Sequence, residues 1–208
     1  MEMSIDTKIL EEHFPQLEYF EEEQCIIGKI HIECLCNDEY INEEFEIKIK
    51  LFENLLPRVW ELSNKVKNSY PHIYNDRKLC LATDLEQELY LKKHNLVEWI
   101  EEFVEKFFIS YVYYERYGVF PFGEYSHGDK GIYEFIQKYL KIDNIIVAKK
   151  IYDYICTKQY RGHLECPCGS KKKIRNCHGN LILEVINGKD FEILKENFRR
   201  MNYVGRNK

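Results

Sequence analysis

Two runs of strict alternation constrain this chain most. Between Ile26 and Cys36, the residues Ile26, Gly28, Ile30, Ile32, Cys34 and Cys36 fall on one side, with Lys29, His31 and Glu33 on the other. Between Phe45 and Leu51, Phe45, Ile47, Ile49 and Leu51 alternate with Glu44, Glu46, Lys48 and Lys50. A period of two puts successive side chains on opposite faces of a strand, so each run reads as a half-buried strand. Asn37-Asp38 supplies the turn between them, and Leu56 to Leu62 offers a further short strand. Ahead of the strands, Ser4 is placed to cap a short helix with Ile5, Ile9, Leu10 and Phe14 on one face and Pro15 as its stop.

The pattern changes after Pro71. Residues 72–81 carry no long period and read as an ordered loop with a tight turn at Asn75-Asp76. Leu96, Trp99, Ile100, Phe103, Val104, Phe107, Phe108 and Tyr111 then recur every three or four residues, which predicts a helix with one wide apolar face. The Gly/Pro/His segment from Gly118 to Gly131 is a loop, and helices follow over residues 132–140 and 143–156. The fold class is therefore α+β: an N-terminal helix, a four-stranded antiparallel meander, following helices and a small C-terminal metal-binding segment.

Composition narrows the class. Sixteen Tyr, twelve Phe and two Trp are enough to bury a sizeable core, which excludes low-complexity disorder. No run approaches the ~20 apolar residues of a membrane span. Residues 1–14 are acidic and amphipathic and do not read as a signal peptide, so a cytoplasmic protein with reduced thiols is expected. The net charge of -5 hides an asymmetry: residues 160–208 hold eleven Lys and Arg against five Asp and Glu. The sign change near Gln159 to Gly162 marks a boundary, with one domain over residues 1–158 and a tail over 159–208. Nucleic acid, an anionic lipid surface or an acidic protein could each attract such a tail, and a lysine-rich loop also simply needs solvating; nuclease motifs and stacking platforms are missing, so nucleic acid is not expected.

Eight cysteines in a reducing compartment point to metal or catalysis. Cys166, Cys168, Cys177 and His178 form the cluster Cys-Pro-Cys-Gly-Ser…Cys-His. Three thiolates and an imidazole suit tetrahedral Zn2+, and four filled positions make the site structural. His163 stands three residues ahead as a spare donor. Cys25, Cys34, Cys36 and Cys156 read as packing residues. Cys80, between Leu79 and Leu81 on the loop, is the candidate nucleophile, with His72 and Asn75 shortly before it and His127 in the Gly/Pro/His segment.

The cysteine cluster resembles the SEC-C motif, a zinc-binding motif found at the end of the SecA translocation ATPase, with Lys171 standing where that motif usually has glycine. The resemblance implies a docking role for the tail, in which Lys171, Lys172, Lys173 and Arg175 face a partner. The order of elements over roughly residues 1–140 resembles the ubiquitin-conjugating enzymes. In that fold a helix and a four-stranded meander lead into a His-Pro-Asn turn and a segment bearing a thioester cysteine. Here Pro71-His72-Ile73-Tyr74 stands at the turn and Leu79-Cys80-Leu81 at the cysteine segment, without the proline and asparagine after the histidine. The resemblance implies catalysis by Cys80, assisted by His72, Asn75 or His127. Bacterial relatives of that fold occur in CBASS antiphage systems. There they load the C-terminal glycine of a cGAS/DncV-like nucleotidyltransferase onto cysteine and pass it to an amine. The degraded triad keeps open a second reading, a catalytically silent adaptor that holds a protein partner through its zinc tail.

Overall fold

The computed structural model describes residues 6–53 and 55–204. The chain divides after Glu124 into two compact units.

The first unit opens with α1 (Thr7–His13), capped by Asp6, whose carboxylate accepts from the amides of Lys8 and Ile9 at 3.1 and 3.3 Å. Ser4 and Ile5, read as the helix start, lie outside the described residues. Leu10 and Phe14 are buried, as their spacing requires. Four strands follow in sequence order: β1 (Leu17–Phe20), β2 (Cys25–Cys36), β3 (Glu39–Lys50) and β4 (Arg58–Glu61). All pairs are antiparallel, and the β2–β3 register sets Ile30 opposite Phe45 and Cys34 opposite Ile41. Ile26, Ile30, Ile32, Ile41, Phe45, Ile47 and Ile49 bury completely or nearly so, while Leu35 stays 75% exposed on the other face. Gly28 has a backbone reason: a Cβ there would sit 1.9 Å from the carbonyl oxygen of Gln16, where β1 begins.

The apolar helix covers this sheet. It runs as α3 (Leu96–Trp99), a π-helical segment (Ile100–Glu105) and α4 (Lys106–Tyr117). The π segment departs from the single α-helix that the apolar spacing predicts, and its cause is in that spacing. Leu96, Ile100, Val104, Phe108 and Val112 recur every four residues and all are buried. On an α-helix of 3.6 residues per turn, each such step drifts about 40° around the axis, and four steps would carry Val112 off the sheet. A wider turn rotates the row back. Phe108 then stacks on Phe45 with ring centroids 4.2 Å apart, and Tyr111 meets Phe45 edge-on at 6.1 Å. An additional helix, α2 (Asp84–Leu91), is capped by the Thr83 hydroxyl.

The second unit contains α5 (Asp129–Tyr139), α6 (Ile145–Thr157), α7 (Gly179–Asn187) and α8 (Phe191–Val204). Its core joins Ile136, Ile151, Tyr152, Ile182 and Leu194, and the Tyr152 hydroxyl donates to the carbonyl of Leu194 at 2.7 Å. The cysteine segment lies between α6 and α7. The change of charge near residue 159 falls just past the end of α6, whereas this unit begins at Tyr125. Among the described residues, no helix is long and apolar enough to cross a membrane.

Candidate functional site

Residues 72–80 close into a small hairpin. Ile73 bridges Leu79, the amide of Tyr74 donates to the carbonyl of Lys78, and the amide of Cys80 donates to the carbonyl of His72, the last two at 2.9 Å. The turn lies at Asn75-Asp76, as its residues imply. It closes with an amide of Arg77 bonded to the carbonyl of Tyr74, and Arg77 adopts a left-handed φ of 69°. A type I turn followed by one left-handed residue is a usual three-residue hairpin loop. The hairpin is tied to the sheet edge, since the amide of Leu79 donates to Val59 of β4 and that of Glu61 to Arg77.

Period-two alternation sorts its side chains. Ile73 and Leu79 turn toward the core of the first unit. His72, Tyr74, Lys78 and Cys80 share the opposite face. Register therefore brings His72 to Cys80, and a ring nitrogen of His72 lies within 4.8 Å of the Cys80 sulfur. The imidazole is oriented from behind: its Nε2 lies 3.0 Å from Oε1 of Glu124, and Phe120 and Tyr70 meet the ring edge-on at 5.2 and 5.6 Å. Cysteine, histidine and carboxylate thus stand in the order of a nucleophile, a base and the group that orients the base. Asn75 is exposed at the hairpin tip, three residues beyond His72. His127 belongs to the second unit, exposed just ahead of α5.

A buried ion pair holds the turn. Glu61, fully buried, receives the Arg77 guanidinium, the Ser63 hydroxyl and the amide of Lys65. Arg77 also donates to the carbonyl of Val66 at 2.7 Å and to Asn68 at 2.8 Å. The sequence sets Glu124 near His127, whose imidazole it could orient, whereas the structure pairs it with His72; nothing local in the sequence marks Glu61 or Arg77 as parts of the site. Glu124 lies 52 residues from His72, and Glu61 looks like an ordinary strand charge.

Cys80 opens onto a cleft of about 240 Å³ between β4, the hairpin and the start of α2. Burial pushes its thiol above the ordinary value, reinforced by Asp84, while the Tyr74 hydroxyl, Lys78 and Arg58 pull the other way. Arg58 is held in a two-bond pair with Asp84 at 2.8 and 3.0 Å. The thiol therefore rests protonated near neutral pH and needs a base to react.

Of the second cluster, Cys166 and Cys168 lie on another short hairpin, closed by a Glu165–Lys173 bridge, and Cys177 and His178 follow it just ahead of α7. The ligand atoms of Cys166, Cys168, Cys177 and His178 all lie within 4.8 Å of one another. Cys168 Sγ is 3.6 Å from Cys177 Sγ, and Nδ1 of His178 is 3.3 and 3.2 Å from the sulfurs of Cys166 and Cys177. A tetrahedron with metal–sulfur bonds of about 2.3 Å has edges of about 3.7 Å, so these four donors could hold a metal ion with little movement. Burial pushes the Cys166 thiol up to about 11; Cys168, although burial opposes it, is drawn down to about 6 by hydrogen bonds from Ser170 and its neighbours. His163 is exposed and stands outside the four. Lys171, in place of the glycine of the SEC-C pattern, adopts a left-handed φ of 60°. Lys171, Lys172, Lys173 and Arg175 are all exposed. Of the packing cysteines, Cys25 and Cys36 are buried, Cys34 packs against the core, and Cys156 lies 3.8 Å from the carbonyl of Leu194.

Residues 6–128 match the model of the family described as Type II CBASS E2 protein. The chain belongs to that family. Its members take a ubiquitin-conjugating-like role in CBASS defence, and the match spans the meander, the Cys80 hairpin and the aromatic helix. The CBASS E2 match ends at residue 128 and does not reach the Cys166–His178 cluster. No curated protein and no solved structure matches the chain.

Proposed function

We propose that this CBASS E2 protein is an acyl carrier. Cys80 takes the C-terminal glycine of a partner protein as a thioester and passes it to an amine. The partner chemistry expected from the bacterial relatives is a cGAS/DncV-like nucleotidyltransferase. The observation that carries the reading is the Cys80–His72–Glu124 arrangement at the mouth of a cleft.

The chemistry follows from the environment. A protonated thiol attacks only as its proton leaves, and His72, held by Glu124, is placed to accept it. A thiol of raised pKa is a poor leaving group, so an acyl group moves readily from a more acidic donor thiol onto Cys80 and resides there until an amine arrives. Restricting the cleft to about 240 Å³ favours a narrow, extended chain end over a folded surface. In the second unit, Cys166, Cys168, Cys177 and His178 bind structural Zn2+ as a SEC-C motif, and the exposed lysines beside them dock a protein partner. The protein works in the cytoplasm, where these thiols stay reduced.

The test uses a synthetic peptide α-thioester ending in glycine. Wild-type protein should gain a peptide mass at Cys80 that thiol reductants release, and Cys80→Ala should gain none. An adduct that persists in Cys80→Ala overturns the assignment. Absence of any adduct in the wild-type protein favours the silent adaptor.

A further inference from the structure

The face that carries His72 and Cys80 holds one more reactive group. Tyr74 lies opposite Lys78 in the hairpin, and Cys80 is its diagonal neighbour across the strands, a distance an aromatic side chain spans. The Tyr74 hydroxyl faces the Cys80 sulfur closely enough to oppose the rise of its thiol pKa. Its ring is half exposed and lines the same cleft. Lys78 fixes the ring from the other side, with Nζ 4.6 Å from the ring centroid, a cation over an aromatic face. The backbone holds both residues to each other, through the amide of Tyr74 and the carbonyl of Lys78. A phenol so held has one evident use. Once the sulfur carries an acyl group, the carbonyl oxygen is two bonds from the atom the hydroxyl already faces.

We propose that Tyr74 is a catalytic residue of this site, its hydroxyl supplying the hydrogen bond that stabilises the oxyanion formed on a Cys80-bound acyl group. The proposal rests on Cys80 acting as the acyl carrier. In the discharge step, the lone pair of a primary amine attacks the thioester carbon, and the carbonyl π pair moves onto oxygen, where Tyr74 donates to it. Collapse reforms the carbonyl, breaks the carbon–sulfur bond and returns that pair to Cys80. The proton lost by the ammonium passes to His72 and from there to the sulfur, so thioester and amine become amide and thiol. The same hydroxyl then donates to the departing sulfur. Preorganised donors of this kind act most strongly where charge develops in a site shielded from water.

Tyr74→Phe keeps the ring and the Lys78 contact and removes only the hydroxyl. Wild type and variant are loaded at Cys80 with the glycine-ending peptide α-thioester, and discharge to ethylamine is followed in a single turnover. Loss of one oxyanion donor costs about 10²–10³-fold in rate, and that slowing is expected in the variant. Alkylation of Cys80 by iodoacetamide, read on its own peptide by mass spectrometry, gives a second measure that needs no acyl donor. Within the first unit, the titratable and charged groups facing the sulfur besides Tyr74 are His72 across the hairpin, Lys78 beside it, Tyr70 ahead of it, and Arg58 and Asp84 from β4 and α2. All remain in the variant, so loss of the hydroxyl should move the alkylation midpoint to higher pH. A slowing of less than tenfold, or an unmoved midpoint, overturns the role of Tyr74 and leaves Cys80 as carrier. A wild-type protein that forms no Cys80 adduct overturns both together.

Discussion

Cys80 and Cys166 occupy hairpins built alike. Each is closed by a single antiparallel bridge, Ile73 with Leu79 and Glu165 with Lys173. Each bends through a non-glycine residue in the left-handed region, Arg77 at φ 69° and Lys171 at φ 60°. What differs is what stands around the sulfur. Within its own unit, Cys80 has the His72 imidazole, the Tyr74 phenol and a cleft. Cys166 has two further thiols and an imidazole within 4.8 Å. A single thiol with a base beside it is arranged to lose its proton and attack, whereas three thiols and an imidazole brought together could hold a metal ion. The turn that presents a thiol does not decide its chemistry; the count of donors within reach does.

The comparison breaks most easily at the proposed metal site. Structural zinc sites contribute about 10–16 kcal/mol to the folding of small segments, far more than any contact in the Cys80 hairpin. Treatment with 1,10-phenanthroline should therefore melt the Cys166–His178 segment and expose its thiols to iodoacetamide. The alkylation rate of Cys80 should stay unchanged. Equal protection of the three thiols before and after chelation would show that no metal organises them.

The Cys80 hairpin has its own cross-link, made of charge. Replacing Arg77 by Met leaves the Glu61 carboxylate fully buried with only Ser63 and the Lys65 amide for company. Removing one partner of a buried ion pair costs about 3–5 kcal/mol. Urea unfolding followed by tryptophan fluorescence from Trp60 and Trp99 should report that loss in the first unit. A midpoint equal to that of wild type would mean the ion pair does not hold the turn.

Much of this was readable in advance, and the failures share a cause. The strands of residues 26–36 and 45–51 declare themselves because a sheet with one wet face imposes a local period. The turn at Asn75-Asp76 is local too. The pairing of His72 with Cys80 follows once that turn is drawn, because register fixes which side chains meet. Glu124 behind His72, Glu61 beneath Arg77 and the phenol of Tyr74 above the sulfur depend on contacts across tertiary distance or on a face assignment that only the closed hairpin reveals. The π-helical segment hid for a subtler reason. A four-residue spacing looks like an ordinary amphipathic helix until its angular drift is summed over several turns. The short α2 carries no long apolar stripe and went unread, as did α7 and α8 behind the cysteine cluster.

Thiol titration sharpens the contrast at lower energy. Cys80 is pushed up chiefly by its burial, so its thiolate is scarce at neutral pH and grows as pH rises through a value above the ordinary range near 8.5. Its alkylation at pH 7.5 should run several-fold slower than that of free cysteine and still be climbing above that ordinary range. A plateau below it would mean an activated thiolate and would remove the need for His72 as base.

The smallest effect distinguishes the two turns. Arg77 is left-handed but its side chain works, joining Glu61, Val66 and Asn68. Lys171 is left-handed with an exposed side chain. A non-glycine residue in that region costs about 1–2 kcal/mol, and glycine returns part of this through its greater freedom when unfolded. Lys171→Gly should thus stabilise the second unit by roughly 0.5–1 kcal/mol, read as a small rise in its thermal midpoint, whereas glycine at position 77 should destabilise the first. A loss of stability on Lys171→Gly would mean that this lysine, like Arg77, holds its turn through its side chain.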